Sequence, residues 1–553
     1  MSLFIPFDSD GQFCPIGKTQ TLRRAAVRGA GASIAGQASG FAVQIGSVVI
    51  LARILSPADF GIVTMVTTFS LLFSSFGRNG FMELVMQREE ISHSLASNLF
   101  WLELGIGAIL TLALACSGPL LVLFYHYPEV AHVTEGLSLT IVIGCLGWIH
   151  MGLLQRAMRF RTTAFISFLG QLVLAIVSIV LAMEGWHYWA LVWGSVAQNM
   201  VIAASAWSMC RWIPSWPSRV SGTRSGFKFA MNVYAHFAFS YSTRNTDNLL
   251  VGWRFGARSL GFYKKAYDLF VLPQSQLLSP ISAVAVSTLS RVNRDHQQFK
   301  RYFLRFISVL ALLGMGIGVD LALVGNDLIR FLLGPGWEEA GRIFTLFGPG
   351  IGVMLLYETH GWVHLSIGQP ERWFRWGLVE FACTATLFLL ALRWGPSGIA
   401  LAWTISYFVL MLPGFWYAGK PIRLSIGPVL DVIWRYFAAS VSAGLATLVI
   451  VRGLAQSSAI SGAVGSFVRM VSVSFVFFVL YLIGVIALHR GLGPIQETAR
   501  LLRELLPNRV VESASSEAAG AEKVRVISTW DGQKMSQPDA PESQLTPGTK
   551  REW

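Results

Sequence analysis

Leu51-Ala-Arg53-Ile-Leu-Ser-Pro-Ala-Asp-Phe60-Gly61-Ile62 returns, 200 to 201 residues on, as Val251-Gly-Trp-Arg254-Phe-Gly-Ala-Arg-Ser-Leu260-Gly261-Phe262. Each copy reads as the end of an apolar helix, an arginine at the interface, a short turn, and an apolar-Gly-apolar triplet that opens the next helix. A second echo sets Tyr127-Pro-Glu129-Val-Ala131 against Gly336-Trp-Glu338-Glu-Ala340, at an offset of 209. Two echoes in the same order point to duplication. Six apolar spans separate the copies, so both halves start on the same side of a membrane and the pseudo-two-fold axis lies along the membrane normal. Some transporters use this parallel-repeat design, with the substrate site near the midplane between the halves.

The composition demands the membrane. Of 553 residues, 53% are apolar, 12% aromatic and only 13% charged, and the mean hydropathy is +0.54. Soluble domains carry about 25% charged residues, so this chain has no means of covering several globular cores with polar faces. The net charge of +13 is confined to the part before Arg490, because from there on nine Lys/Arg balance nine Asp/Glu. Basic charge spread over short loops between apolar spans is an orientation signal, which sets nucleic acid aside as a partner. Five cysteines without a C-x-x-C pair predict neither disulfide nor structural zinc.

Windows of roughly 20 residues, the bilayer requirement, give about fourteen spans: 34–54, 60–77, 98–118, 137–155, 164–183, 186–208, 229–252, 266–288, 303–324, 343–366, 374–393, 396–418, 434–453 and 467–488. With the N-terminus in the cytoplasm, inside loops hold 23 Lys/Arg against 10 outside, as the positive-inside rule requires. The expected fold is an all-α polytopic membrane protein: two pseudo-symmetric six-helix lobes plus two extra helices. The expected divisions are a cytoplasmic N-terminal segment 1–33, an N-lobe 34–210, a cytoplasmic linker 211–228, a C-lobe 229–418, helices 13–14 at 434–488, and a largely disordered cytoplasmic tail 489–553 that begins with an amphipathic stretch to about Asn508.

Three stretches carry a family resemblance: Leu153-Leu-Gln-Arg156-Ala-Met-Arg159-Phe160-Arg161 between spans 4 and 5, Arg244-Asn245-Thr-Asp247-Asn248-Leu-Leu-Val-Gly252 in span 7, and Leu333-Gly334-Pro-Gly-Trp337-Glu-Glu-Ala340 before span 10. The chain resembles the bacterial polysaccharide transporter family, of the multidrug, oligosaccharidyl-lipid and polysaccharide flippase superfamily, from about residue 20 to 490. The resemblance implies two lobes that alternate between inward-open and outward-open states. It also implies a cargo of undecaprenyl-diphosphate-linked oligosaccharide units moved outward across the inner membrane for exopolysaccharide or lipopolysaccharide biosynthesis. Membrane lipids and the polysaccharide polymerase machinery are the further candidate partners.

Such a cargo needs cations near a wet cavity, polar groups for sugars and an apolar slot for the tail. Arg244 lies ten residues inside Arg254, about 15 Å deeper on a helix, where an arginine must face protein or water. It is either the ion-pair partner of Asp247, three residues on, or a ligand or gate for the diphosphate, and the two roles are compatible in different states. Asn245, Asp247 and Gln44 join it as candidate substrate-binding residues. Arg156, Arg159 and Arg161 are expected to attract the diphosphate at the inner leaflet, at ~1 kcal/mol per surface cation; plain topology is the alternative. Asp320, Glu358 and Glu380 are the candidate carriers of a coupling cation, H⁺ or Na⁺.

Other patterns lead nowhere. Asp8-Ser-Asp10 has metal-motif spacing but no fold around it, His360-Gly-Trp-Val-His364 lacks the glutamate of a zinc helix, and no phosphate-binding loop occurs, so neither metal nor cofactor is expected. A multidrug or lipid II exporter is the same-fold alternative. A membrane glycan polymerase or ligase, the enzyme alternative, would need a large external loop rich in reactive residues, and the longest external stretches here are about 15 to 20 residues.

Overall fold

The computed structural model describes residues 4–14, 19–88, 90–218, 223–454 and 462–504. The chain divides into two units, Met1–Pro494 and Ile495–Trp553. Of the expected tail 489–553, residues 489–504 are described and include helix α18 (Gly493–Glu504), within the expected amphipathic stretch; the remainder lies outside the described residues.

The first half contains α1 (Thr19–Ile54), α2 (Pro57–Phe76), a π-helical turn Gly77–Met82, α3 (Glu83–Gln87), α4 (His93–Cys116), α5 (Gly118–Tyr125), α6 (Glu129–Arg156), α7 (Phe160–Met183) and α8 (Tyr188–Met209). The second half contains α9 (Thr223–Phe270), α10 (Ser279–Arg291), α11 (His296–Leu333), α12 (Glu338–Tyr357), α13 (His360–Ser366), α14 (Pro370–Ala391) and α15 (Gly395–Gly419). Helices α16 (Ile426–Leu454) and α17 (Gly462–His489) pack on each other and on α11. Their outer faces, with Leu445, Val449, Phe475 and Ile483, are exposed as a lipid-facing surface requires.

Among the described residues, ten helical stretches are long and apolar enough to cross a membrane, or up to eleven when bent pairs count as one span. The chain is a multi-pass helical membrane protein. One of the ten, Pro370–Ile422, contains both α14 and α15, which part at Gly395. Helix α8 is not among the ten, because Gln198, Asn199 and its aromatic residues dilute its apolar run. The first apolar span, Gly36–Ile54, agrees with the expected 34–54 and continues helix α1 from Thr19. One boundary differs from expectation. The second span continues through the π turn to Gln87, so Arg78 lies within a helix and not in a loop.

Local chemistry sets the ends. Ser56 accepts from the Asp59 amide while Asp59 accepts from the Ser56 amide at 2.9 Å, a capping box completed by Pro57 in the first turn. Asp295 caps α11 through the amides of Gln297 and Gln298. Within α9 the backbone breaks at Gly256, with φ 78°, a conformation that glycine adopts without penalty. That break separates the seventh and eighth expected spans. Helices α11 and α12 cross with Gly314 and Gly318 against Gly352 and Gly348, small faces that bring the backbones into contact.

The N-terminal segment packs against the end of α8. Phe4 and Phe7 are buried. Backbone bonds from Phe4 to Met209 at 3.0 Å and from Arg211 to Phe4 at 2.8 Å stitch the segment onto the end of α8. Phe7 packs against His93 and Trp212. Aromatic residues every few positions made this possible, but nothing local said where they would dock.

Candidate functional site

The two copies of the repeat meet. Gly61 in α2 lies against Ala257 of α9, and Gly261 lies against Pro57. A methyl group at either glycine would overlap the partner's carbonyl. Pro57 and Gly61 stand 200 residues before Ala257 and Gly261, so the contact is reciprocal, as a two-fold relation between the copies demands. The second echo closes the same end. Tyr127 lies over Gly256 and Tyr125 over Gly252, while the Trp337 indole donates to the Ala52 carbonyl at 2.8 Å. Trp337 also packs edge-on against Phe60 and Phe262, one from each copy. Arg53 donates to the Phe331 carbonyl at 3.1 Å.

Away from that end, the second half gathers an ionic cluster. Arg244 Nη2 lies 3.5 Å from Glu358 Oε1, with side-chain exposures of 54% and 15%. Glu380 accepts from Tyr357 Oη at 3.0 Å, and Trp376 Nε1 donates to the same hydroxyl at 2.8 Å. Glu380 lies within electrostatic reach of both Arg244 and Glu358. Two candidate ion carriers and the principal candidate for substrate thus share one site, built by α9, the α12–α13 junction and α14.

The expected Arg244–Asp247 ion pair does not form. Asp247 is buried and accepts from Tyr263 Oη at 2.7 Å, Trp403 Nε1 at 3.0 Å and the Asn248 amide at 2.7 Å. Three donors already satisfy its oxygens, so it turns into the packed interior of the second half while Arg244 faces the open side. Asn245 stays within α9, donating to the Tyr241 carbonyl at 2.9 Å and accepting from Asn248 at 3.1 Å. Asp320 stands apart on α11, its Oδ2 accepting from Ser474 of α17 at 3.1 Å. Gln44 lines a different cavity, of about 290 Å³, with Lys265, Asp268 and Gln276 and an apolar wall from α1, α9 and α11.

Of the basic triplet, two members have structural partners. Arg156 donates to the carbonyls of Val85, at 2.9 Å, and Arg88, at the C-terminal end of α3, and lies over the Phe13 ring. Arg159 lies over Phe4. Arg156 and Arg159 are half-buried and Arg161 is exposed.

The sequence reading passed over the aromatic lining. Tyr263 with Tyr267, and Trp403 with Tyr407, stack at one-turn spacing in α9 and α15. The i,i+4 aromatic pairs were a usable signal. It also passed over Glu103, buried in α4 with both carboxyl oxygens lacking a hydrogen-bond partner among the described residues. No group of three His, Cys, Asp or Glu that could hold a metal ion occurs among the described residues.

A multi-pass helical chain whose repeated segments meet at one end, with an arginine–carboxylate cluster set among its helices, has the architecture of a membrane transporter. The family model for polysaccharide biosynthesis proteins matches residues 50–342, just over half of the chain, and the chain belongs to that family. It is 24% identical over 388 residues to the teichuronic acid biosynthesis protein TuaB of Bacillus subtilis (strain 168), covering 66% of this chain and 76% of that one. It is 23% identical over 389 residues to the succinoglycan biosynthesis transport protein ExoT of Rhizobium meliloti (strain 1021), covering 70% and 78%. Among solved structures it is similar to the lipid II flippase MurJ in an inward closed conformation. The TM-score is 0.66 and the identity 14%, over 84% of this chain and 99% of that one; this likeness concerns the fold.

Proposed function

We propose that this protein is a flippase that moves undecaprenyl-diphosphate-linked oligosaccharide units across the inner membrane by alternating access. The observation that carries the reading is the half-exposed Arg244, held at 3.5 Å by Glu358, its one ion-pair partner among the described residues. A guanidinium so held can exchange its carboxylate for a diphosphate, which offers the same bidentate acceptor geometry. Glu358, displaced, then takes a proton or Na⁺, with Glu380 beside it; this couples cargo to cation. The reciprocal repeat contact supplies the closed end, and separating the copies there opens it.

In this reading the chain has fourteen spans, with α1 to α8 and α9 to α15 as two six-span lobes and α16–α17 as an added pair. Both termini face the cytoplasm. The added pair packs on α11 and offers its apolar face to the polyprenyl tail, as does the Gln44 cavity, whose mostly apolar lining includes Lys265. Leaving that tail in water would cost ~0.8 kcal/mol per CH₂.

The test is flipping of labelled lipid-linked oligosaccharide in proteoliposomes, with and without a pH or Na⁺ gradient, with lipid II and a cationic dye as comparison cargoes. Gradient-dependent flipping of the oligosaccharide lipid is expected. Flipping of lipid II alone, or dye efflux alone, would assign the fold to another cargo.

A further inference from the structure

A second cavity, of about 300 Å³, opens in the first half of the molecule between α2, α6 and α8. It shares no lining residue with the cavity of Gln44 and contains no member of the Arg244 cluster. The volume is at the lower end of small-ligand sites. Among the described residues its one charged lining residue is Arg78. Arg78 lies in the π-helical turn Gly77–Met82 and is exposed toward this space. It makes no ion pair among the described residues. An exposed guanidinium lining a cavity can pair there with an anion, with charge-assisted hydrogen bonds, and π turns recur where a helix must re-aim a side chain for function.

The rest of the wall is specific in its chemistry. Trp148 is part-buried on α6, one turn after Gly144. A Cβ at Gly144 would lie 3.1 Å from the indole Nε1 and 3.5 Å from Asn199 Oδ1, so the bare glycine lets the indole N–H and this amide oxygen converge. Asn199 Nδ2 donates to the Ser195 carbonyl at 2.9 Å, and Gln198 Nε2 donates to Gln171 Oε1 at 3.3 Å. Both amides therefore spend a donor on the protein and keep Oδ1 and Oε1 as acceptors. Ser74 and Ser195 likewise donate to the carbonyls of Leu71 and Leu191 and keep their oxygens as acceptors. The wall thus offers acceptors, the second N–H of each amide, one aromatic face and one guanidinium. An apolar drug would leave these groups unmatched, and the like charge of Arg78 opposes a cationic one. A sugar matches them, since its hydroxyls donate and its C–H face stacks on indole.

We infer that this cavity is a glycan subsite for an acidic sugar of the cargo. The ring stacks on Trp148, its hydroxyls donate to Asn199 and Gln198, and its carboxylate binds Arg78. The inference rests on the flippase reading for the source of the sugar, and it makes the first half the holder of the glycan while Arg244 in the second half takes the diphosphate.

The experiment uses full-length protein in nanodiscs, carrying Ser74→Cys or Ser195→Cys, with maleimide labelling of that cysteine read by peptide mass spectrometry. The probes are a soluble oligosaccharide containing glucuronic acid, its carboxyl-reduced neutral form, and geranylgeranyl diphosphate, which has the anion and no sugar. Protection by the acidic saccharide is expected, with about tenfold weaker protection after Arg78→Gln or Trp148→Leu, the loss of one charged or stacking contact. Little protection by the prenyl diphosphate is expected. Equal protection by the prenyl diphosphate would make Arg78 a diphosphate ligand and overturn the glycan assignment, as would no protection by any probe.

A transport arm separates this inference from the reading beneath it. In proteoliposomes, Arg78→Gln should raise KM about tenfold for a lipid-linked acidic unit and leave a lipid-linked neutral unit unchanged. Flipping by the unaltered protein with no effect of Arg78→Gln or Trp148→Leu sinks the subsite alone. No flipping of either lipid by the unaltered protein sinks the flippase reading, and the subsite as a cargo site with it.

Discussion

Alanine at Gly61 should force the two copies of the repeat apart. The added methyl would overlap the Ala257 carbonyl, and at Gly261 it would overlap the Pro57 carbonyl. In both cases the obstacle is backbone, so no rotamer change relieves it. Ordinary van der Waals separation requires α2 and α9 to part by on the order of 2 Å. Overpacking of this kind costs ~1–3 kcal/mol, and each 1.4 kcal/mol shifts a two-state equilibrium about tenfold. The closed population should therefore fall by about ten- to a hundredfold relative to the open one. The two glycines serve one contact, so the double variant should add little to either single one. The assay is labelling of Ala52→Cys by a membrane-impermeant thiol reagent applied from outside, in a Cys116→Ser background. Ala52 is buried in this contact, beneath Trp337. Its labelling rate should rise about tenfold or more with Gly61→Ala or Gly261→Ala. Gly40→Ala and Gly46→Ala, where an added Cβ meets nothing within 4 Å, are the controls and should leave the rate unchanged. An unchanged rate in well-folded Gly61→Ala and Gly261→Ala protein would refute the gate.

Arg244→Ala should abolish polymer export while the protein still inserts, and Arg244→Lys, which keeps charge without the planar fork, should restore only part of it; normal secretion by stably expressed Arg244→Ala protein would remove it from the site. Asp247→Ala orphans the Tyr263 hydroxyl and the Trp403 indole at ~1–3 kcal/mol for each buried group, so the melting temperature in detergent should drop by several degrees, and an unchanged value would contradict the buried network. Arg156→Gln should loosen the Phe4–Cys14 segment in limited proteolysis while Arg161→Gln does not; equal cleavage of both would show that the stacking and carbonyl contacts of Arg156 are immaterial. Glu103→Met removes two buried oxygens that have no hydrogen-bond partner among the described residues and should stabilise the protein by ~1–3 kcal/mol; a loss of stability in thermal unfolding would reveal a partner for the carboxyl group.

What could be read along the chain was whatever depends on near neighbours. Apolar runs of bilayer length, the Ser56–Asp59 cap and the Gly256 break are local, because hydrogen bonding within a helix and burial in lipid act over a few residues. The repeat was legible for the same reason: Arg53 and Arg254, then Gly61 and Gly261, preserve a local pattern. Helix bounds were less so, as the second span shows, since a helix continues past the bilayer wherever packing satisfies its ends. Choice of partner was not local at all. Asp247 was the near candidate for Arg244, yet Glu358, more than a hundred residues on, holds it because α9 lies beside the α12–α13 junction. The docking of Phe4 on α8, the tying of Arg156 to the end of α3, and the cavity that turns Arg78 from a loop charge into a lining residue arose in the same way. Two glycines 200 residues apart were visible in the sequence as an echo; only the packing of α2 on α9 put each against the other's copy, because close approach of backbones is a property of the helix pair and not of either helix alone.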